Sequence, residues 1–312
     1  QPRLGLILET EVWPNWVRCA QQFKVPLVLV NARMSDKSMR QALRWPSLMK
    51  PAYAGLHAVL AQTQGDATRL EVLGANVKCI TGNLKFDAKP DAAQVATGQA
   101  WRSRIAMPVI MLASSREGEE RLWLAAWQSF VKANPGVQIQ WLLVPRHPQR
   151  VHEVVQLIEQ AGFLVSRRSS WGEEEVASPP SHAAGSTIFM GDSLGEMALY
   201  YSLADVALLG GSFEPLGGQN LIEAAACGCP VVMGPHTFNF AEASEAALAE
   251  GAAFRAANMA MALERALELV QKSELLETHA AKAFSFAKQH GGATQRTADA
   301  VREWWVKDST VH

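Results

Sequence analysis

The chain is expected to fold as an α/β protein of two domains, each built on a parallel sheet. Short apolar runs alternate with amphipathic stretches over most of its length: Leu4–Leu8, Leu27–Val30, Ala58–Ala61, Val77–Ile80, Val109–Ala113, Gln140–Val144, Thr187–Met190, Val206–Leu209 and Val231–Met233. Runs of this length separated by helix-length intervals mark βαβ units, in which a strand buried on both faces carries consecutive apolar residues. The alternation lapses once, between Asn83 and Met107. Glycine clusters also follow several of the runs, where strand-to-helix turns of a nucleotide-binding sheet would lie.

The first four runs assign residues 1–90 to the carboxyl-terminal part of one Rossmann-like domain. The lapse, with Lys85, Asp87, Lys89, Pro90 and Asp91 and one helical stretch around Gln94 to Ile105, reads as an interdomain linker over 91–106. The later runs place a second domain at 107–290. From Gly251 onward the pattern is helical, and 291–312 reads as a C-terminal helix whose Trp304-Trp305 pair should dock on an apolar surface. Ser169 to Ser186, with Pro179-Pro180 and Glu173-Glu174-Glu175, has the composition of an exposed excursion. No repeat of solenoid period is present. The chain starts at Gln1 and enters its first strand almost at once, so a preceding segment is expected.

With 312 residues the chain can bury two cores. Its 29 basic and 30 acidic residues balance to a net charge of -1, which gives no reason to expect a nucleic-acid partner. The four cysteines, Cys19, Cys79, Cys227 and Cys229, lack the spacing of a disulfide framework or a zinc site and suit a reducing compartment. No apolar run reaches the roughly 18 to 20 residues of a membrane span, so a soluble chain is expected.

Gly217-Gly218-Gln219-Asn220-Leu221-Ile222-Glu223 is the most informative stretch. Glycines ahead of a helix start expose backbone N–H groups to phosphate, and Glu223, one turn in, can accept ribose hydroxyls. Gly191-Asp192-Ser193-Leu194-Gly195-Glu196-Met197 and Gly210-Gly211-Ser212 add two further glycine loops. Singly, each is as well explained by an ordinary strand-to-helix turn. Together with Glu9-Thr10-Glu11, Asn31-Ala32-Arg33, Gly82-Asn83-Leu84-Lys85, Ser114-Ser115-Arg116 and Pro145-Arg146-His147-Pro148, they concentrate polar and charged residues at strand ends, as a ligand-binding cleft requires. Asp192 has no second carboxylate at ligand spacing, so no metal site is expected, and no cofactor.

These blocks resemble the 3-deoxy-D-manno-octulosonic acid (Kdo) transferases of lipopolysaccharide lipid A biosynthesis. The resemblance runs in order through Glu9 to Asn15, Asn31 to Arg33, Gly82 to Asp87, Glu117 to Glu119, Pro145 to Pro148, Gly191-Asp192, Gly195 to Met197, Gly217 to Asn220, Glu223 to Ala225 and Gly234 to Phe240. It implies the GT-B architecture of two Rossmann-like domains facing across a cleft, and an inverting glycosyltransferase that moves Kdo from CMP-Kdo to a lipid A precursor (lipid IVA). CMP-Kdo is then a substrate rather than a cofactor.

Carried onto this sequence, the resemblance implies that Pro145, Arg146, His147, Leu194, Gly195, Glu196, Gly211, Ser212, Gly218, Gln219, Asn220, Leu221, Ile222 and Glu223 hold the nucleotide. Glu9 and Lys85 become transition-state stabilisers, with Glu11 the competing carboxylate, since Glu9 and Glu11 point the same way if the strand continues. His147 suits ligand contact and a capping role equally. Asn15, Arg33, Arg40, Arg44 and Asn239 are placed on the acceptor side. The stretch Lys37 to Trp45 is on one reading an ordinary helix face and on the other a surface for lipid phosphates and acyl chains, which implies peripheral contact at the cytoplasmic face of the bacterial inner membrane. Two departures stand out. Gln219 replaces a common histidine, and the family's membrane anchor and general-base loop are expected ahead of Gln1, so that the chain alone binds CMP without transferring Kdo. The competing readings are a sugar-nucleotide 2-epimerase of the same build and an inactive nucleotide-binding fragment.

Overall fold

All the apolar runs become strands in the computed structural model, and the chain divides into two compact units, Gln1–Asp87 with His290–His312, and Ala88–Gln289. The structure describes residues 2–87, 89–171 and 187–307. Most of the excursion expected over 169–186, and the side chains of Trp304 and Trp305, lie outside the described residues.

The first unit runs β1 (Gly5–Leu8), α1 (Pro14–Gln22), β2 (Leu27–Ala32), α2 (Asp36–Ala42), α3 (Pro46–Ala54), β3 (Ala58–Ala61), α4 (Gln64–Val72) and β4 (Val77–Ile80). Its four strands are parallel, in the order β1-β2-β3-β4. Local signals explain the helix starts. Pro14 and Pro46 supply a helical φ where no N–H is needed, Ser35 accepts the N–H of Ser38 at 3.0 Å, and Thr63 accepts that of Asp66 at 3.1 Å. Asp66 is then buried and employed twice more, accepting from Thr63 Oγ1 at 2.6 Å and from the Met34 N–H at 2.7 Å. Strands β2 and β3 are central and carry the core: Leu29 and Val59 face a cluster with Val17, Tyr53, Leu70 and Leu73, while Val28, Val30, Ala58 and Leu60 face the other way.

The second unit runs α5 (Ala92–Arg102), β5 (Val109–Ser115), α6 (Glu119–Ala133), β6 (Gln140–Pro145), α7 (Val151–Gln160), β7 (Leu164–Arg167), β8 (Thr187–Met190), α8 (Met197–Leu203), β9 (Val206–Leu209), α9 (Ile222–Ala226), β10 (Val231–Met233), α10 (Ala241–Ala249), β11 (Ala253–Arg255), α11 (Met259–Gln271) and α12 (Ser273–His290). Its seven strands are parallel in the order β11-β10-β9-β5-β6-β8-β7. From β5 the chain passes to β6, then to the edge strand β7 and back to β8 between them, before crossing to β9, β10 and β11 on the other side of β5. The switch of direction falls at the carboxyl ends of β5, β6 and β9, where a doubly wound sheet binds its ligand. Trp123, Trp127 and Trp141 pack edge to face beneath this sheet, with ring centroids 5.1 and 5.4 Å apart.

Three sequence expectations need correction. The sheet includes two strands absent from the list of apolar runs, β7 and β11, the latter inside the stretch read as helical. Both are edge strands of three or four residues, too short to show a period. The stretch 91–106 is not a free linker. Helix α5 packs on α8 so closely that a Cβ on Gly98 would stand 2.4 Å from the Leu199 carbonyl oxygen. Arg102 also ties to Asp205 through Nε at 2.8 and 3.0 Å. The unit boundary therefore lies at residues 87 and 88. Finally, the last helix, α13 (Ala293–Lys307), is no separate appendage but covers the Val28 and Leu60 face of the first unit with Ala300 and Val301.

Asp87 makes that return of the chain possible. Its carboxylate accepts the N–H of Ala293 at 3.2 Å, and also those of Gly292 and Thr294, capping α13. Arg296 of the same helix donates to the Thr81 carbonyl at 2.9 Å. Burial alone would raise the Asp87 pKa, but the hydrogen bonds from Thr294, Gly292 and Ala293 outweigh it and hold the carboxyl below its usual range. Because the folded pKa is depressed, this contribution is present above the ordinary aspartate pKa and is lost as pH falls through the lower folded value. Asp87→Ala should cost about 1 kcal/mol, the typical worth of a helix cap. Urea unfolding at neutral and acid pH checks this: the difference between wild type and variant should shrink towards zero on acidification.

Candidate functional site

Strand ends in both units hold left-handed residues that are not glycine. Glu9, Asn31 and Ser114 have φ of 55, 51 and 53°. The register of β2 against β3 shifts next to Asn31, and that of β5 against β6 next to Ser114, as bulges do when they re-aim a chain. Left-handed conformations of this kind cost on the order of 1 kcal/mol or more and gather where side chains must be directed.

In the first unit this geometry directs Glu9. Its carboxylate lies 3.3 Å from Arg33 Nε and 3.8 Å from Lys85 Nζ. Asn31 holds the Lys85 turn from below, its buried side chain accepting the Leu84 N–H at 3.0 Å. Glu11 does not join the group. Strand β1 ends at Leu8, the Glu11 N–H returns to the Leu8 carbonyl at 3.1 Å, and Glu11 Oε2 accepts from the Trp13 indole at 2.8 Å. The alternation that would have paired Glu9 with Glu11 is broken by the left-handed residue. Asn15 lines a hollow of about 480 Å³ with Trp13, Pro14, Trp16 and Leu48. Arg40, in the last turn of α2, and Arg44 are exposed, as is Trp45.

In the second unit the candidate nucleotide residues stand at the switch point. Pro145 ends β6, and Arg146 follows it, exposed, its N–H bonded to the Ser115 carbonyl at 3.0 Å. Burial pushes the Glu223 carboxyl above its usual range, and the positive charge of Arg146 pulls it partly back. The His147 carbonyl accepts the Arg150 N–H at 2.9 Å, while its imidazole makes no capping bond to the turn that follows. Leu194 is 78% exposed and Gly195 is left-handed at φ 79°.

Other residues expected to contact nucleotide are engaged by the chain itself. Gly211 donates its N–H to Glu119 at 2.7 Å, and buried Ser212 donates through Oγ to the Leu209 carbonyl while accepting the Gly234 N–H at 2.8 Å. These bonds hold the loop in shape. Gly218 closes the same loop by donating to the Gly211 carbonyl at 2.6 Å, and the Gln219 amide packs against Gly211. Asn220 Oδ1 accepts the Ile222 N–H at 3.1 Å, and Leu221 and Ile222 are buried. Helix α9 is only five residues long, so it offers far less dipole than the glycine-to-helix motif promised. Asn239, expected on the acceptor side, clamps the glycine loop: it donates from Nδ2 to the Leu216 carbonyl at 3.1 Å and from its N–H to Gly217 O at 3.0 Å. Both carboxylate oxygens of Glu196 are taken, one by Arg168 Nη2 at 2.9 Å and the other by Ser193 Oγ.

The sequence reading missed the supports. Glu119 is fully buried, and besides Gly211 it accepts from the N–H groups of Arg116 at 2.8 Å and Phe213 at 3.0 Å. Burial raises its pKa, and the hydrogen bonds from Gly211, Arg116 and Phe213 oppose the rise. Its neighbour Glu120 receives Arg150 at 2.9 and 3.2 Å and Ser115 Oγ at 2.7 Å, pinning the turn that carries Arg146. Adjacent glutamates directly after an apolar strand were the available signal.

The family profile described as 3-deoxy-D-manno-octulosonic-acid transferase (kdotransferase) matches residues 1–88. A 3-deoxy-D-manno-octulosonic acid transferase of Bordetella pertussis is 45% identical over 306 residues, which are 97% of this chain and 69% of that protein. Among solved structures, the C-terminal CMP-Kdo binding domain of WaaA from Acinetobacter baumannii is 27% identical with a TM-score of 0.52, covering 62% of this chain and 96% of that one. A putative UDP-N-acetylglucosamine 2-epimerase from Listeria monocytogenes, 14% identical with a TM-score of 0.58 over 98% of this chain and 75% of its own, shares the fold alone. The two parallel α/β units are those of the GT-B class read from the sequence. At 45% identity along nearly its full length, the chain belongs to the 3-deoxy-D-manno-octulosonic acid transferase family of glycosyltransferases.

Proposed function

We propose that the chain takes part in the transfer of Kdo from CMP-Kdo to a lipid A precursor, with inversion at the anomeric carbon, its second unit binding the CMP moiety. The observation that carries this reading is the placing of Arg146 and a partly buried Glu223 after strands of the seven-stranded sheet at its switch point, in a chain 27% identical to a solved CMP-Kdo binding domain. Arg146 supplies a fixed positive charge to the single phosphate, and Glu223 accepts ribose hydroxyls. The first unit supplies Glu9 and Lys85. As the glycosidic bond breaks, positive charge grows on the sugar and negative charge on the departing CMP, so a positioned carboxylate and an ammonium stabilise the transition state more than the ground state.

The proposed setting is the cytoplasmic face of the inner membrane. It is supported by the exposed Trp13, Trp16, Trp45 and Leu48, which lie within one stretch of sequence with exposed Lys37, Arg40 and Arg44. Indoles and basic side chains together favour the interface of an anionic bilayer. Sedimentation with anionic vesicles is the check, and exchanging Trp16 and Trp45 for serine should release the chain into the supernatant.

Transfer from CMP-Kdo, followed by product analysis, separates this reading from isomerisation. In an intact version of the enzyme, with the general-base segment restored, Glu9→Ala and Lys85→Ala should each lower kcat on the order of a hundredfold while leaving CMP affinity nearly unchanged, as expected for groups that act on charge developing in the transition state. Full turnover in both variants would remove them from the reaction.

Glu223→Ala should weaken CMP binding in calorimetry by about 1–3 kcal/mol, the cost of losing a hydrogen bond to a charged group. The raised Glu223 pKa adds a pH signature. Cytidine has no phosphate to titrate, although its cytosine N3 takes up a proton in the same acid range. The signature is therefore the part of its loss of binding, above the ordinary glutamate pKa of about 4.3, that wild type shows and a Glu223 variant does not, because protonation removes acceptor capacity. Glu223→Gln should flatten that profile.

A further inference from the structure

The loop from Asp192 to Glu196 is held at each of its polar positions by a group outside it. The turn after β7 does most of this. Ser169 donates to Asp192 through its N–H at 2.8 Å and its hydroxyl at 2.6 Å, and the preceding residue, Arg168, reaches Glu196 Oε1 with Nη2 at 2.9 Å. Ser193 shares a short hydrogen bond with the Tyr200 hydroxyl and donates to the other Glu196 oxygen, and Gln94 donates to the Gly195 carbonyl at 2.8 Å. Arg168 is itself fixed by aromatic rings. Its guanidinium carbon lies 5.2 Å from the Trp101 ring centroid and 6.0 Å from that of Trp171, and the two indoles meet edge to face at 5.4 Å. A guanidinium stacked in this way is a fixed charge rather than a mobile surface one.

We infer that Arg168 is a positioning residue for donor binding, which holds and neutralises Glu196 so that the Asp192–Glu196 loop presents its backbone and Leu194, and not a bare carboxylate, to an anionic nucleotide. This rests on the reading of the second unit as the CMP site. The physical content is electrostatic. Glu196 stands in a partly buried loop after β8, the strand paired with β6, after which Arg146 follows, and without its guanidinium partner it is an uncompensated negative charge that repels a phosphate far more than a neutral nucleoside. A role confined to packing makes no such distinction.

The test compares CMP with cytidine on the 312-residue chain, by calorimetry for the first and ligand-observed NMR for the second. Arg168→Gln should weaken CMP about tenfold and cytidine less than twofold, the difference expected when one unscreened like charge is added near the phosphate. Adding Glu196→Gln in the same chain should return CMP affinity to within about threefold of wild type, since the pair is coupled through one interaction. Arg168→Lys keeps the charge and should keep the wild-type ratio of the two affinities, so it carries the test if thermal melting shows Arg168→Gln unfolded. Equal losses for CMP and cytidine, no recovery in the double variant, or a collapsed ratio in Arg168→Lys would each overturn the inference. Wild-type chain that bound neither ligand would overturn the CMP reading and this inference with it.

Discussion

Glu119 holds its carboxylate entirely out of solvent, and its two oxygens accept N–H groups from Arg116, Gly211 and Phe213. An ionised carboxylate left bare at that depth would be destabilising by several kcal/mol, so the charge is tolerable only while the loops after β5 and β9 stay where those N–H groups reach it. The dependence runs outward from there. Gly211 must be left-handed, at φ 69°, to aim its N–H inward, which sets the path of the chain to Gly218 and so the start of α9 with Glu223. A buried carboxylate thus takes the N–H of Gly211, one of the loop residues the sequence reading placed at the nucleotide.

The same edge of the sheet is shaped by backbone strain. Ser114 bulges out of β5 so far that a Cβ at Gly210 would stand 2.4 Å from its carbonyl oxygen, and only glycine fits there. In the first unit, Glu9 and Asn31 adopt the same left-handed conformation, one placing a carboxylate between Arg33 and Lys85, the other supporting the Lys85 turn. These conformations persist because buried hydrogen bonds over-determine them. The salt bridges at the site divide accordingly. Arg150 with Glu120 is buried and bidentate and holds a turn, whereas the Glu9 pairs are half exposed and contribute position and charge more than stability.

Much of this was legible beforehand. The runs from Leu4 to Met233 all fall on strands, and the central ones announce themselves because parallel strands buried on both faces need consecutive apolar residues, whereas β1 and β4 are edge strands with exposed residues. Glu9 and Lys85, separated by 76 positions, were tied together only through a family pattern, and the structure brings their charges within 3.8 Å. The strands β7 and β11 stayed hidden because edge strands of three or four residues lack a period.

The sequence by itself determined the fold class, the positions of nine of the eleven described strands and the family, since all three rest on local patterning and on blocks in a fixed order. Only the tertiary structure decided which polar residues remain available for a ligand. Glu11, Gly211, Ser212, Asn239 and Glu196 have the chemistry of site residues, yet each has a group spent on the chain's own loops, with partners such as Trp13, Glu119, Leu216 and Arg168. Tertiary structure likewise moved the stretch 91–106 into the second unit and the last helix into the first, through Gly98 against Leu199 and Asp87 against the start of α13. Hydrogen-bond partners as much as 215 positions apart in the chain leave no local trace, and a donor or acceptor already satisfied looks, in sequence, the same as one that is not.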